Sequence, residues 1–140
     1  MQGFQPKRAT VVLTRGDSSL SFEVSPLPAG FRADLHAAFP PPRRYVNGKD
    51  AGADDSRGIQ WADLLGYAIL AKALEPSGAL SAPCVNLSMD RSVIEKQARA
   101  IRDEFRAANL TDGEVGELVK AVDGLNSDVT VADLGNSPGD

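Results

Sequence analysis

Two helix-start signals in the second half of the 140-residue chain constrain its fold more than any other feature. Ser92 stands three residues before Glu95, and Thr111 stands three residues before Glu114. In such a capping box, the hydroxyl and the carboxylate each accept a hydrogen bond from a backbone N–H group near the start of the helix. We therefore predict two helices whose N-caps are Ser92 and Thr111.

Each of these helices carries one apolar stripe. The first stripe consists of Ile94, Ala98, Ile101, Phe105 and Ala108, and the second consists of Val115, Leu118, Val119, Val122 and Leu125. Steps of three and four residues place such side chains on one helix face. Because only Asn109 and Leu110 connect the two segments, we predict that they form an α-hairpin.

Two further helices are expected earlier in the chain. The segment from Ile59 to Glu75 is apolar around much of its circumference, so it should lie at the centre of the core, and Pro76 should end it. Between Phe31 and Phe39, apolar residues recur at a spacing of four, which predicts a short helix.

The N-terminal region has the alternation that is typical of β-strands. Thr10 to Arg15 is rich in β-branched residues, and Leu20 to Val24 alternates apolar and polar residues after a Gly-Asp-Ser turn. We predict a β-hairpin whose apolar face packs on the helix that contains Trp61. The fold class is therefore α+β: an N-terminal β-hairpin or small antiparallel sheet packed on three main α-helices, the last two an α-hairpin. Residues 1–126 should form one globular domain, and residues 127–140 a polar, flexible tail.

The segment between the short helix and the apolar helix is expected to be irregular. Pro40 to Pro42 favours an extended polyproline conformation, and Lys49 to Gly58 is interpreted as a solvated loop. Asp50, Asp54 and Asp55 in this loop lack the alternate spacing and the closing glutamate of a calcium-binding loop. We therefore expect no metal there.

Composition excludes several function classes. The single cysteine, Cys84, rules out a disulfide within the chain, and the single histidine, His36, argues against a His-rich metal site. A net charge of −4 argues against general nucleic-acid binding, although residues 1–49 carry seven basic and three acidic side chains. No apolar run is long enough to cross a membrane, so we expect a cytoplasmic protein. With no convergent set of titratable residues in view, we expect neither an enzyme nor a cofactor.

Four segments within residues 10–126 follow one another in a suggestive order. They are the hairpin leading into Ser25–Pro28, the Phe39–Pro42 element, the helix end Ala71–Pro76 and the helix start Ala107–Glu114. This arrangement resembles the tail assembly chaperones of long-tailed bacteriophages, which are small, acidic and without cofactors. The resemblance implies that the chain binds and solubilises the tape measure protein in the bacterial host cytoplasm while the tail tube polymerises. The tail tube protein would be a second partner.

The apolar stripes supply the candidate binding residues for such a partner. They are Phe105, Leu110, Val115, Leu118 and Val122. A partner that binds through these side chains should be held with little sensitivity to salt. The alternative is a virion structural protein, either a head–tail connector or a tail-completion protein, which would co-purify with mature particles.

Overall fold

The computed structural model describes residues 7–75 and 90–127. The elements, in chain order, are β1 (Ala9–Arg15), β2 (Ser18–Val24), α1 (Phe31–Ala38), β3 (Arg43–Val46), β4 (Lys49–Ala53), α2 (Asp55–Ala73), α3 (Arg91–Ala107) and α4 (Asp112–Ser127). The arrangement is α+β, as predicted. The expectations for Cys84 and for the tail after residue 127 fall outside the described residues.

The N-terminal hairpin forms as the alternation predicted. β1 and β2 pair antiparallel, with Leu13 opposite Leu20 and Val11 opposite Phe22. Gly16 adopts a left-handed φ of 58°, which the first position of this two-residue turn requires and which glycine adopts without strain. The inward face of the hairpin therefore presents alternate apolar side chains to the helices.

The prediction that residues 49–58 are a loop was wrong, because residues 49–53 form β4, which pairs with β3 in a second antiparallel hairpin, and residues 55–58 belong to the start of α2. Asn47 and Gly48 both have positive φ, at 53° and 78°, as a tight two-residue hairpin turn demands. All four residues of β3 are exposed, including Tyr45 and Val46. A strand pair with no buried face has no apolar alternation, and for that reason the sequence pattern did not reveal it.

The N-cap of the first of the two C-terminal helices is not the residue that the sequence predicted. Asp90, not Ser92, is the N-cap of α3, and its carboxylate accepts hydrogen bonds from the backbone N–H groups of Ser92 and Val93. The Thr111 box is confirmed, since Thr111 Oγ1 accepts from the Glu114 N–H and Glu114 Oε1 accepts from the Thr111 N–H. An acidic residue two positions before a serine can take the cap when its backbone is extended, as that of Asp90 is.

The core is one cluster to which the first hairpin, α1 and the three long helices contribute. Its largest fully buried side chains are Phe22, Phe105, Leu35, Leu70, Ile94, Ile101, Leu118, Val24 and Val122. α2 is the central element, and α3 packs chiefly along it. The pairing of α3 with α4 as an α-hairpin stays a prediction.

The first hairpin docks at the C-terminal end of α2, away from Trp61. The Ser25 N–H donates to the Ala73 carbonyl and the Glu75 N–H donates to the Glu23 carbonyl, each at 2.9 Å. Trp61 lies twelve residues earlier on α2, where its indole N–H donates to the Phe39 carbonyl at 3.0 Å. The tryptophan therefore fastens the end of α1 and the polyproline segment to α2.

Candidate functional site

The structure divides the five predicted binding residues into two groups. Phe105, Leu118 and Val122 are at most 2% exposed and belong to the core. Leu110 and Val115 are partly buried at its edge. Side chains of the first group can meet a partner only if the domain opens, so the apolar stripes are mostly occupied by the protein's own packing.

Leu110 lines a small pocket of about 250 Å³ between the first hairpin and the start of α4. Leu13 and Leu20 form its apolar wall. Its polar wall is an ion pair, in which the Arg15 guanidinium donates to both carboxylate oxygens of Glu114. The pocket is too small for a helix and accommodates at most one or two side chains.

Glu114 is the most perturbed group beside this pocket. The hydrogen bond from Arg15 and the backbone N–H of Thr111 lower the pKa of Glu114 to about 2. The same hydrogen bond raises the pKa of Arg15. The hydrogen bonds stabilise the charged forms of both side chains, and the ion pair holds the hairpin against α4. The shifted pKa values therefore have a structural explanation and point to no proton-transfer chemistry.

A longer depression runs between α2 and α3, and we call it the α2–α3 groove. It consists of two adjoining cavities of about 560 and 340 Å³ that share Gln60, Leu64 and Arg99. The first is also lined by Phe39, Pro40, Pro41, Pro42, Arg43, Tyr45, Arg57, Trp61, Arg91 and Glu95, and the second by Asp63, Tyr67, Arg102 and Arg106. The groove thus follows two helices for several turns.

One end of the groove is aromatic and proline-rich. His36 packs edge-on against the Trp61 ring, with 5.5 Å between ring centroids. The Arg91 guanidinium lies 4.9 Å from the centroid of the Phe39 ring, within the range of a cation–π contact. These rigid apolar surfaces provide contact area with little loss of side-chain entropy on binding.

The other end of the groove is basic. Arg99, Arg102 and Arg106 follow one another along α3 at helical spacing, and Arg99 and Arg106 are exposed. The side chains of Arg99 and Arg106 form no ion pair or hydrogen bond with any described residue. Arg102 Nη2 lies 3.4 Å from Asp103 Oδ1, and its buried Nε has no hydrogen-bond partner among the described residues. The guanidinium groups of Arg99 and Arg106 are therefore available to an anion, and Arg102 adds one nitrogen that has no partner in the described part of the chain.

Tyr67 lies at this basic end, on α2. Burial, followed by the negative charges of Asp112 and Asp63, raises the pKa of its hydroxyl. Since the phenol stays neutral, it can donate a hydrogen bond to an anionic ligand in the groove.

The aspartates considered as calcium ligands have other partners in the structure. Asp50 accepts hydrogen bonds from the Gly52 N–H and from the Arg43 guanidinium, which lower its pKa, the first more than the second. Asp54 is the N-cap of α2, and hydrogen bonds from Ser56 and Arg57 lower its pKa to about 2. Within residues 7–75 and 90–127, no three His, Cys, Asp or Glu side chains come together as metal ligands.

The sequence analysis did not single out the groove arginines. Arg99, Arg102 and Arg106 lie outside the apolar stripe of α3, and no role was predicted for them. Their spacing of three and four residues was the available signal, because it puts them on one face. The sequence could not show that α2 packs beside this face of α3, and this packing is what makes the face one wall of a groove.

Comparison with known proteins adds no family to this description. No protein-family model matches the chain, and neither curated proteins nor solved structures give a significant match. Among the described residues, no helix combines the length and the apolarity that crossing a membrane would need.

Proposed function

We propose that this chain is a tail assembly chaperone of a long-tailed bacteriophage. It binds the tape measure protein in the host cytoplasm and keeps that protein soluble while tail tube subunits polymerise around it. The proposal begins from the order of the hairpin, the Phe39–Pro42 element and the helices, which resembles that family.

The observation that carries the proposal is the open α2–α3 groove. A long helical protein presents amphipathic segments, and an amphipathic helix is recognised by a groove with an apolar floor. Trp61 and Leu64, which are partly buried, supply apolar surface along the groove. The role of contact surface thus moves from the stripes of α3 and α4, which are mostly in the core, to the exposed side of α2 and α3.

Solubility of the complex is the second support. A chaperone of this kind must hold apolar segments without precipitating, and a net charge of −4 opposes self-association of the loaded protein. Residues such as Leu110 and Val115 at the core edge can add minor contacts.

Co-expression tests the proposal directly. Under this proposal we expect the partner to be a very long helical protein encoded downstream of this chain's gene, with a tail tube gene upstream. We expect it to stay soluble only with this chain and to elute with it on gel filtration. Equal solubility without this chain, and no complex, would contradict the chaperone role. Recovery of the chain in purified mature particles would favour the connector or tail-completion role.

A further inference from the structure

The charge of the α2–α3 groove is opposite to that of the chain as a whole. The chain has a net charge of −4, yet six arginines line the two cavities against two carboxylates, Asp63 and Glu95. Arg43 and Arg57 are held by Asp50 and Asp54. On α3, Arg91 pairs with Glu95 and Arg102 with Asp103, each at 3.4 Å. The positive charge of the groove that has no ion-pair partner among the described residues therefore lies at Arg99 and Arg106.

We propose that the α2–α3 groove binds an acidic amphipathic helix, whose carboxylates meet Arg99, Arg102 and Arg106 and whose apolar side chains lie on Trp61 and Leu64. The inference rests on the proposed function in one respect, that the helix belongs to the tape measure protein. The chemistry of the groove itself is independent of that partner's name.

The spacing of the arginines favours a helix over an extended segment. Arg99, Arg102 and Arg106 follow steps of three and four residues, so carboxylates at the same steps on a second helix match them along a common axis. Arg91 and Arg106 mark the two ends of the groove wall. At 1.5 Å per residue they are about 22 Å apart along the helix axis, which corresponds to a docking helix of about 15 residues.

The geometry of guanidinium groups favours carboxylates as the ligand. Arginine presents a planar fork of donors that pairs with a carboxylate through two parallel hydrogen bonds. The buried Nε of Arg102 has no hydrogen-bond partner among the described residues. A bound carboxylate towards which the guanidinium rotates would accept a hydrogen bond from it, and this would stabilise the complex. Phosphates of a nucleic acid would satisfy the same donors, but the net charge of −4 of the chain disfavours binding of a long polyanion.

This inference changes the expected salt dependence of partner binding. Binding through apolar stripes would be nearly insensitive to salt. Binding through exposed guanidinium groups weakens as ionic strength rises, because the charges are screened. We expect affinity to fall about tenfold between about 50 mM and about 500 mM salt.

A synthetic helix tests the groove without the natural partner. The probe is a 16-residue peptide, with about one glutamate per helical turn beside a leucine stripe, and its match carries glutamine at every glutamate position. Trp61 is the only tryptophan of the chain and lines the groove, so its fluorescence reports binding. We expect saturable binding of the glutamate peptide and about tenfold weaker binding of the glutamine peptide.

The protein variants localise the contact. Arg99→Glu combined with Arg106→Glu should weaken binding of the glutamate peptide about tenfold. Lys96→Glu makes the same kind of charge change on an exposed position of α3 outside the groove lining and should leave affinity within about twofold. Thermal unfolding checks that both variants fold. Should the double charge reversal unfold the chain, Arg99→Gln with Arg106→Gln replaces it.

Equal binding of the two peptides would overturn the inference. So would equal affinity of the double variant and Lys96→Glu for the glutamate peptide. A third contrary result would be a single-stranded oligonucleotide that displaces the bound glutamate peptide at a lower concentration than the free glutamate peptide does. The co-expression experiment separates this inference from the proposed function. If the double variant still keeps the tape measure protein soluble, the chaperone role stands but does not use the groove. If the groove binds the glutamate peptide but the chain has no effect on the solubility of the tape measure protein, the inference about the groove stands and the chaperone role does not.

Discussion

Single side chains fix where the two C-terminal helices begin. Thr111 and Glu114 cap the start of α4 reciprocally, as the sequence pattern predicted. At α3 the same pattern was misleading, because the Asp90 carboxylate accepts the hydrogen bonds from the backbone N–H groups of the first turn. The Ser92 hydroxyl instead donates to Asp90. A sequence motif shows that a cap exists but not which of two neighbouring polar residues occupies it.

Alanine substitution at the caps distinguishes these assignments. Thr111→Ala should lower the free energy of unfolding by about 0.5–2 kcal/mol, since it removes the acceptor for the Glu114 N–H. Asp90→Ala should lower the urea midpoint more than Ser92→Ala, because only Asp90 accepts from backbone N–H groups of the first turn. The assignment of Asp90 fails if Ser92→Ala is the more damaging change.

The Arg15–Glu114 ion pair gives the domain a defined response to acid. The pKa of Glu114 is about 2 in the folded protein, below its ordinary value of 4.5. A lowered carboxyl pKa stabilises the fold above the ordinary value, and this stabilisation is lost as the pH falls from there towards 2.

Glu114→Gln tests this response. Glutamine retains a capping acceptor but cannot titrate, so the variant should lose less stability than the native chain between about pH 6 and about pH 3. Urea unfolding at both pH values measures the difference. Parallel losses in the two proteins would show that Glu114 is not ion-paired in solution.

At the scale of elements, the first hairpin and α3 are joined through aromatic rings. Phe22 and Phe105 meet edge-to-face at 5.8 Å with an interplanar angle of 75°, and Tyr67 lies 6.1 Å from Phe105. The sequence analysis predicted the apolar face of this hairpin and the stripe that contains Phe105. It could not decide whether the stripe faces the core or a partner, because an apolar helix face looks the same in both cases.

Phe105→Ala should therefore act on stability. Removal of a fully buried ring that contacts two other rings should cost about 3–5 kcal/mol. Val12→Ala removes an exposed side chain from the other face of β1 and should cost far less. Chemical denaturation measures both. A Phe105→Ala protein with native stability would return this residue to the candidates for partner binding.

At the scale of the whole molecule, the periodic elements were predictable and the exposed ones were not. The first hairpin and all four helices follow from apolar periodicity; α1 and α4 begin where predicted, α2 begins four residues earlier, and the N-cap of α3 lies two residues earlier. The β3–β4 hairpin and the α2–α3 groove could not be predicted, because exposed strands have no periodic signal and a groove exists only between two packed elements. Function was inferred from resemblance in layout, which fixes no individual residue.

The junction between β2 and α2 joins distant parts of the chain. Besides the two backbone hydrogen bonds at Ser25 and Glu75, Val24 and Leu74 form a β-bridge. Because both hydrogen bonds break only when the hairpin leaves α2, the amides of Ser25 and Glu75 should show the same protection in hydrogen exchange. Asp54 N–H, bonded to the Pro42 carbonyl beside the exposed second hairpin, should exchange faster. Unequal protection of Ser25 and Glu75 would indicate that the junction opens in parts.

The contact between Phe22 and Phe105 also bears on how the chain is made. A ribosome that adds about 5–20 residues per second delivers Phe105 roughly 4 to 17 seconds after Phe22. Throughout that interval the nascent hairpin has its apolar face without the ring that covers it in the finished domain. On a crowded polysome, where neighbouring nascent chains carry the same unfinished hairpin, this delay is the period of greatest risk of wrong pairing between chains.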